Sequence, residues 1–185
     1  MEYCDRGSLT TVTMDTSELN VWRFISAIAG AIAYIHSKGI IHRDIKPENI
    51  LCKTNRNGKI DMKLADFGIA KLLNKQHLGH GQSYARSCIG TAIYMSPEAL
   101  DSYLGSRYGF GSDIWSLGAV ISFFCNRVHL FQSVQAVRAW PGGESSLDQN
   151  KYSLKLRQIT ADMMNPLDTM RPTAANIKAT IFDTY

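Results

Sequence analysis

Nothing in these 185 residues is long and apolar enough to cross a bilayer. The longest uncharged stretches, Phe24–Ile35 and Ile114–Asn126, fall short of the ~20 residues that a spanning helix needs. The opening Met1-Glu2-Tyr3-Cys4-Asp5-Arg6 has no apolar h-region, so no secretory signal is visible. The four cysteines, Cys4, Cys52, Cys88 and Cys125, are scattered and form no CxxC pair. Reduced thiols in a cytoplasmic or nuclear protein are the expectation. No dense Lys/Arg run occurs, and 20 basic against 16 acidic residues leave a charge of only +4. Composition therefore gives no argument for nucleic acid. Repeats and low-complexity segments are also absent from the sequence. What is present is a globular composition, 45% apolar and 19% charged. A chain of this size forms one domain and buries about 70% of its unfolded surface.

Residues 1–14 read as an extended start and a polar connection, broken at Gly7 and Ser8. A helix is expected from Asp15, an N-cap with Glu18 three residues on. Trp22, Ile25, Ile28, Ala29, Ile32 and Ile35 then form one apolar face. Lys38-Gly39 should end it. Ile40–Asn49 reads as a polar, charged loop. Ile50–Lys53 and Lys59–Ala65 read as strands of a hairpin that turns at Asn57-Gly58. The long segment from Asp66 to Glu98 has little periodicity, and such loops are functional or disordered. Ile114–Asn126 is apolar nearly all round and reads as a buried helix. Tyr152–Met164 reads as an amphipathic helix, with Leu154, Leu156, Ile159 and Met163 on its apolar face. Thr173–Phe182 is a last short helix after Pro172.

The chemistry concentrates in His42-Arg43-Asp44-Ile45-Lys46-Pro47-Glu48-Asn49. Asp66-Phe67-Gly68 follows 22 residues after Asp44. Four fixed residues at set spacing arise by chance on the order of 10⁻⁵ per start position, at about 5% usage per type. A packed histidine or a surface ion pair would explain His42 or Arg43-Asp44 singly, but not the ordered set. The set resembles the H-R-D-x-K-x-x-N and D-F-G motifs of the eukaryotic protein kinase family.

The resemblance implies phosphoryl transfer from ATP with Mg²⁺. It implies Asp44 as base or hydroxyl-positioning group, Lys46 against the transferred phosphoryl, and Asn49 and Asp66 on magnesium. Gly90–Glu98 resembles the family's substrate-docking segment, with Ser96 where alanine is usual. Asp113-Ile114-Trp115 resembles the start of its central helix, whose aspartate braces the catalytic loop. Arg171 resembles the arginine that pairs with the glutamate of the docking segment, here Glu98. Lys46 and Thr91 match serine/threonine rather than tyrosine kinases. Arg43 would read a phosphate on the activation loop, for which Ser87 stands in the usual position. Met1–Cys4 resembles the hinge, so the backbone of Glu2 and Cys4 would meet adenine, with Leu51 beneath it. Tyr108–Gly118 and Tyr152–Arg157 lean toward the NIMA-related branch, with the inhibitor-kappa-B kinase branch as rival.

No glycine-rich G-x-G-x-x-G and no V-A-I-K strand occurs in these residues. Residues 1–185 are therefore expected to be a partial kinase domain, hinge plus C-terminal lobe. The expected fold is mainly α, with a small β-hairpin carrying the catalytic and metal loops and no N-terminal lobe. Protein substrates and an upstream kinase or regulatory partner follow from the resemblance, with no nucleic acid and no membrane. The alternative is a kinase-derived module that binds proteins without catalysis. His77-Leu78-Gly79-His80 lacks companion ligands and reads as a solvated segment. Trp115 and Trp140 read as packing residues.

Overall fold

The computed structural model describes residues 2–67, 71–72, 92–101 and 108–182. Its elements run α1 (Glu18–Ser37), β1 (Ile40–Ile41), β2 (Ile50–Thr54), β3 (Ile60–Leu64), β4 (Lys71–Leu72), α2 (Pro97–Asp101), α3 (Phe110–Asn126), α4 (Val134–Arg138), α5 (Leu154–Met163) and α6 (Ala174–Phe182). Single 3₁₀ turns lie at Pro47–Asn49 and Asp168–Met170. Helices dominate. Among the described residues the β structure is two small antiparallel pairs, β2 with β3 and β1 with β4.

The apolar face of α1 is buried as its period requires, with Val21 and Phe24 added to it. That face packs against α6, β3 and α3. Phe24 stacks on Phe124 of α3 with ring centroids 4.7 Å apart. Gly39, at φ +72°, takes the left-handed conformation that ends the helix. The start differs from expectation. Helix α1 begins at Glu18 with Ser17 as its N-cap. Asp15 instead accepts hydrogen bonds from the Ser17 N–H and hydroxyl and from Asn20 Nδ2. Glu18 does not fold back on Asp15, because it finds tertiary donors. It accepts from the Ser153 N–H (2.9 Å), the Ser153 hydroxyl and Trp22 Nε1.

Helix α3 is buried continuously from Ser112 to Cys125 and forms the centre of the core. It starts at Phe110, four residues before the apolar run. A tight first turn (Ser112 N–H to the Gly109 carbonyl, 3.1 Å) draws in polar residues that the apolar pattern leaves out. Gly118 sits where α5 crosses; a Cβ there would lie 2.5 Å from Met164 Cγ. Helix α5 runs from Leu154 with Ser153 as N-cap, later than Tyr152. Leu154, placed on its apolar face by the pattern, is 69% exposed. Thr173 precedes α6 and accepts from the Asn176 N–H. Short α2 and α4 had no periodic signal. Residues 2–9 form a third strand-like segment on β2. The Arg6 and Leu9 N–H groups donate to the Cys52 and Ile50 carbonyls, and the Cys52 N–H donates to Gly7. Among the described residues Cys4, Cys52 and Cys125 are free thiols, and no helix is long and apolar enough to cross a membrane.

Candidate active site

The segment Ile40–Asn49, read as a polar and charged loop, is largely buried. Ile40–Ile41 pairs with Lys71–Leu72, and His42, Asp44, Ile45, Pro47 and Asn49 are buried. Charged and polar residues tolerate that burial because the fold supplies each with partners. The chain passes through Arg43 at φ +72°, a left-handed conformation costing roughly 1–2 kcal/mol for a residue with a Cβ. Asp113, at the start of α3 and 1% exposed, compensates. Its carboxylate accepts the His42 N–H (2.9 Å), the Arg43 N–H (3.0 Å) and His36 Nε2–H (2.8 Å). Tyr108 adds a hydrogen bond from its hydroxyl to the Arg43 carbonyl, with the guanidinium 5.6 Å above its ring.

Within the loop, two cationic or amide groups converge on one oxygen. Lys46 Nζ lies 2.8 Å from Asp44 Oδ2. Asn49 Nδ2 donates to the same oxygen (2.9 Å) and to the Asp44 carbonyl (2.7 Å). Both bonds use Nδ2, and Oδ1 is the acceptor end of the Asn49 amide. The Asn49 carbonyl accepts the Ala65 N–H at 2.8 Å, which brings the end of β3 beside the loop. His42 closes the other side. Its Nε2 donates to the Ala65 carbonyl (3.1 Å), and its ring tilts against Phe67 with centroids 4.9 Å apart. Burial pushes the His42 ring below the usual histidine range, against the opposing pull of Asp113, so the ring is neutral at pH 7. Asp66 thus stands one residue from a fixed point of the loop, in a left-handed conformation (φ +63°).

A second polar cluster lies below. Arg171, its side chain fully buried, donates NH1 to Glu98 Oε1 (2.7 Å) and NH2 to Glu98 Oε2 (2.9 Å). It also donates to the Asn165, Gly111 and Pro166 carbonyls and stacks over Trp115. Ser112 Oγ donates to Glu98 Oε1. Burial is the largest single influence and pushes the Glu98 carboxyl up, but the Arg171 bond and charge, together with its other hydrogen bonds, hold the group below its ordinary range.

The hinge-like residues lie elsewhere, on the β2–β3 side. The Glu2 side chain bridges Lys53 (2.9 Å) and Lys63 (2.8 Å), and these bonds hold its carboxyl down at about 2. Cys4 is half-buried. Leu51 pairs with Lys63 across the hairpin and bridges Ser8 in the same N-terminal segment as Glu2 and Cys4. Ser87, Thr91 and the His77–His80 pair lie outside the described residues. His36 and Ser112 were not anticipated. Each acts on a partner far away in the chain, and no spacing rule points to it.

The sequence profile of the protein kinase domain matches residues 1–182. The chain belongs to the protein kinase family. Among its relatives, serine/threonine-protein kinase Nek9 of Mus musculus is 34% identical over 94% of this chain and 18% of its own length. Serine/threonine-protein kinase Nek2 of Homo sapiens is 32% identical over 96% of this chain and 40% of its own. Mitogen-activated protein kinase kinase 7 of Arabidopsis thaliana is 38% identical over 65% of this chain and 37% of its own. The chain thus spans well under half the length of these relatives. As a member of that family, it has the mainly helical lobe with a small hairpin that the motifs implied, and the Nek9 and Nek2 relatives are serine/threonine-protein kinases.

The donors fit what protein kinases generally use, ATP with Mg²⁺. Magnesium takes oxygen ligands and usually one or two carboxylates besides phosphate oxygens. Asp66 and the Asn49 amide oxygen supply that kind of set. Among the described residues no three His, Cys, Asp or Glu side chains gather as a metal site of their own.

Proposed function

We propose that this chain is the hinge and C-terminal lobe of a protein kinase domain that transfers the ATP γ-phosphate to Ser or Thr hydroxyls of protein substrates. The observation that carries the reading is the convergence of Lys46 and Asn49 on Asp44 Oδ2, in a loop anchored by Asp113. Asp44 positions the substrate hydroxyl and takes its proton as the new P–O bond forms and the bond to the ADP leaving oxygen breaks. Lys46, already tied to Asp44, places positive charge beside the moving phosphoryl group. Asn49 and Asp66 would hold magnesium, which neutralises phosphate charge when bound. Glu2, Cys4 and Leu51 would line the adenine side through backbone and apolar contacts. Glu98 and Arg171 hold the substrate platform that includes Ala92–Ser96, and Asp113 holds the catalytic loop. Arg43, Ser87 and Thr91 would tie that platform to the loop and to an upstream kinase. A cytoplasmic or nuclear setting fits reduced cysteines, and the NIMA-related branch fits the several Nek kinases among the relatives.

The test compares the full-length protein with its Asp44→Asn variant, using γ-labelled ATP and a basic protein acceptor. Label on Ser and Thr, reduced about 10²–10⁴-fold in the variant, is expected. Transfer that survives the substitution would overturn the role of Asp44. The alternative, a module that docks proteins without transfer, rests on the Glu98–Arg171 platform, whose contacts do not involve Asp44. It predicts protein binding with no label in either form.

A further inference from the structure

The platform segment has one anchor that neither the motifs nor the relatives' names assign. Tyr94 is buried at 3% exposure beside α3. Its carbonyl accepts the Ser116 hydroxyl of α3 at 2.8 Å. Its own hydroxyl meets His129 Nδ1 at 2.7 Å. His129 lies in the connection between α3 and α4. Its ring is set by two aromatic contacts: stacked on Phe123 with centroids 5.2 Å apart, and edge-on to Tyr94 at 5.8 Å. Burial raises the Tyr94 phenol well above its ordinary value, so the hydroxyl keeps its proton. The phenol therefore has a proton to donate to His129 Nδ1.

We infer that His129 is a positioning residue for protein substrate: through Tyr94 it fixes the height of Ala92–Ser96 over the lobe. The inference rests on the reading of that segment as the substrate platform. The geometry supports a role beyond packing for two reasons. The bond joins an exposed side chain outside the core to a buried residue of the platform, across 35 residues of sequence. The Tyr94 backbone is already held by Ser116, so the His129 bond adds orientation to the side chain and not merely attachment to the lobe.

The experiment uses the full-length protein and measures kcat, KM for a peptide acceptor and KM for ATP. The variants are His129→Ala, His129→Asn, Tyr94→Phe and the double variant His129→Ala/Tyr94→Phe. Loss of one neutral hydrogen bond corresponds to roughly a 3- to 10-fold effect. For His129→Ala, KM for peptide should rise by that factor with KM for ATP unchanged. His129→Asn, whose amide oxygen can accept from the phenol, should recover most of the loss. The double variant should match the single ones, since they remove the same bond. Three outcomes would overturn the inference alone: peptide KM unchanged in His129→Ala, both KM values and thermal stability shifting together, or additive effects in the double variant. Wild-type protein that neither transfers phosphate nor binds the peptide would overturn the platform reading, and this inference with it.

Discussion

Removing the Asp113 carboxylate tests the architecture most directly. In Asp113→Ala, the buried His42 N–H and the Arg43 N–H lose their acceptor, as does His36 Nε2–H. An orphaned buried donor costs about 1–3 kcal/mol, so the two backbone groups together imply about 2–6 kcal/mol. The left-handed Arg43 would also lose the bond that offsets its strain, though relaxation of the loop returns part of that cost. About 3–5 kcal/mol is the expected net loss. A domain of this size shifts by about 2–4 °C per kcal/mol, so Tm should fall by roughly 6–20 °C. Asp113→Asn is the informative companion. An amide oxygen in the Oδ2 place would keep His42 and His36, while its NH₂ would face the Arg43 N–H. One bond is lost, and the cost should be about 1–3 kcal/mol. Thermal unfolding followed by circular dichroism gives the ranking. Amide exchange at His42 and Arg43 locates the damage. An Asp113→Ala protein that melts within about 2 °C of wild type would refute the reasoning, because it would mean the loop holds its conformation without this acceptor.

Four further outcomes follow from the same contacts. Arg171→Met alone should cost about 2–4 kcal/mol, by leaving the half-buried Glu98 without its cation, and Glu98→Gln/Arg171→Met should recover much of it; both are read by denaturant unfolding. Glu98 has a folded-state value below its ordinary 4.5, so its contribution is complete above about pH 5 and is lost as pH falls through the folded value; the double variant should show a flatter acid limb in Tm against pH. Gly118→Val should destabilise by about 1–3 kcal/mol through collision with Met164 and Met163, again measured by unfolding. Asp66→Asn keeps a side chain suited to φ +63° and removes the charge, so phosphoryl transfer by the full-length protein should fall steeply while Tm stays within about 2 °C.

The sequence was most legible where local chemistry repeats. Six apolar positions of α1 announced its buried face, and Asn57-Gly58 announced the hairpin turn. The site was legible because His42 to Asn49 is a contiguous motif whose members meet within one loop. Burial of that loop was not legible. Its residues are polar, yet the His42 and Arg43 N–H groups are satisfied from Asp113, 71 residues away from His42, and the His42 ring from Ala65. The start of α1 failed for a related reason. A capping box is a local rule, but Glu18 bonds Ser153, 135 residues on, and a tertiary donor displaced the local one. β1 and β4, two residues each, are too short for any period to register.

The same comparison explains why α3 carries both the core and the site. An apolar helix buried on all sides has few positions where a polar side chain is tolerated. Here they gather in the first two turns. Ser112 reaches Glu98, Asp113 reaches the catalytic loop, and Ser116 reaches the Tyr94 carbonyl. The apolar part of the helix, from Leu117 to Cys125, is locked against α1 and α5 and broken only by the buried Ser122. The three polar contacts are thus fixed by packing that they do not themselves supply. Rigid placement of this kind keeps functional side chains within the small tolerances that catalysis requires. It also separates two effects of mutation. Ser116→Ala leaves the α3 packing intact and removes one anchor of the platform. A substitution at Trp115 or Phe124, both fully buried, loosens the base from which all three contacts are held.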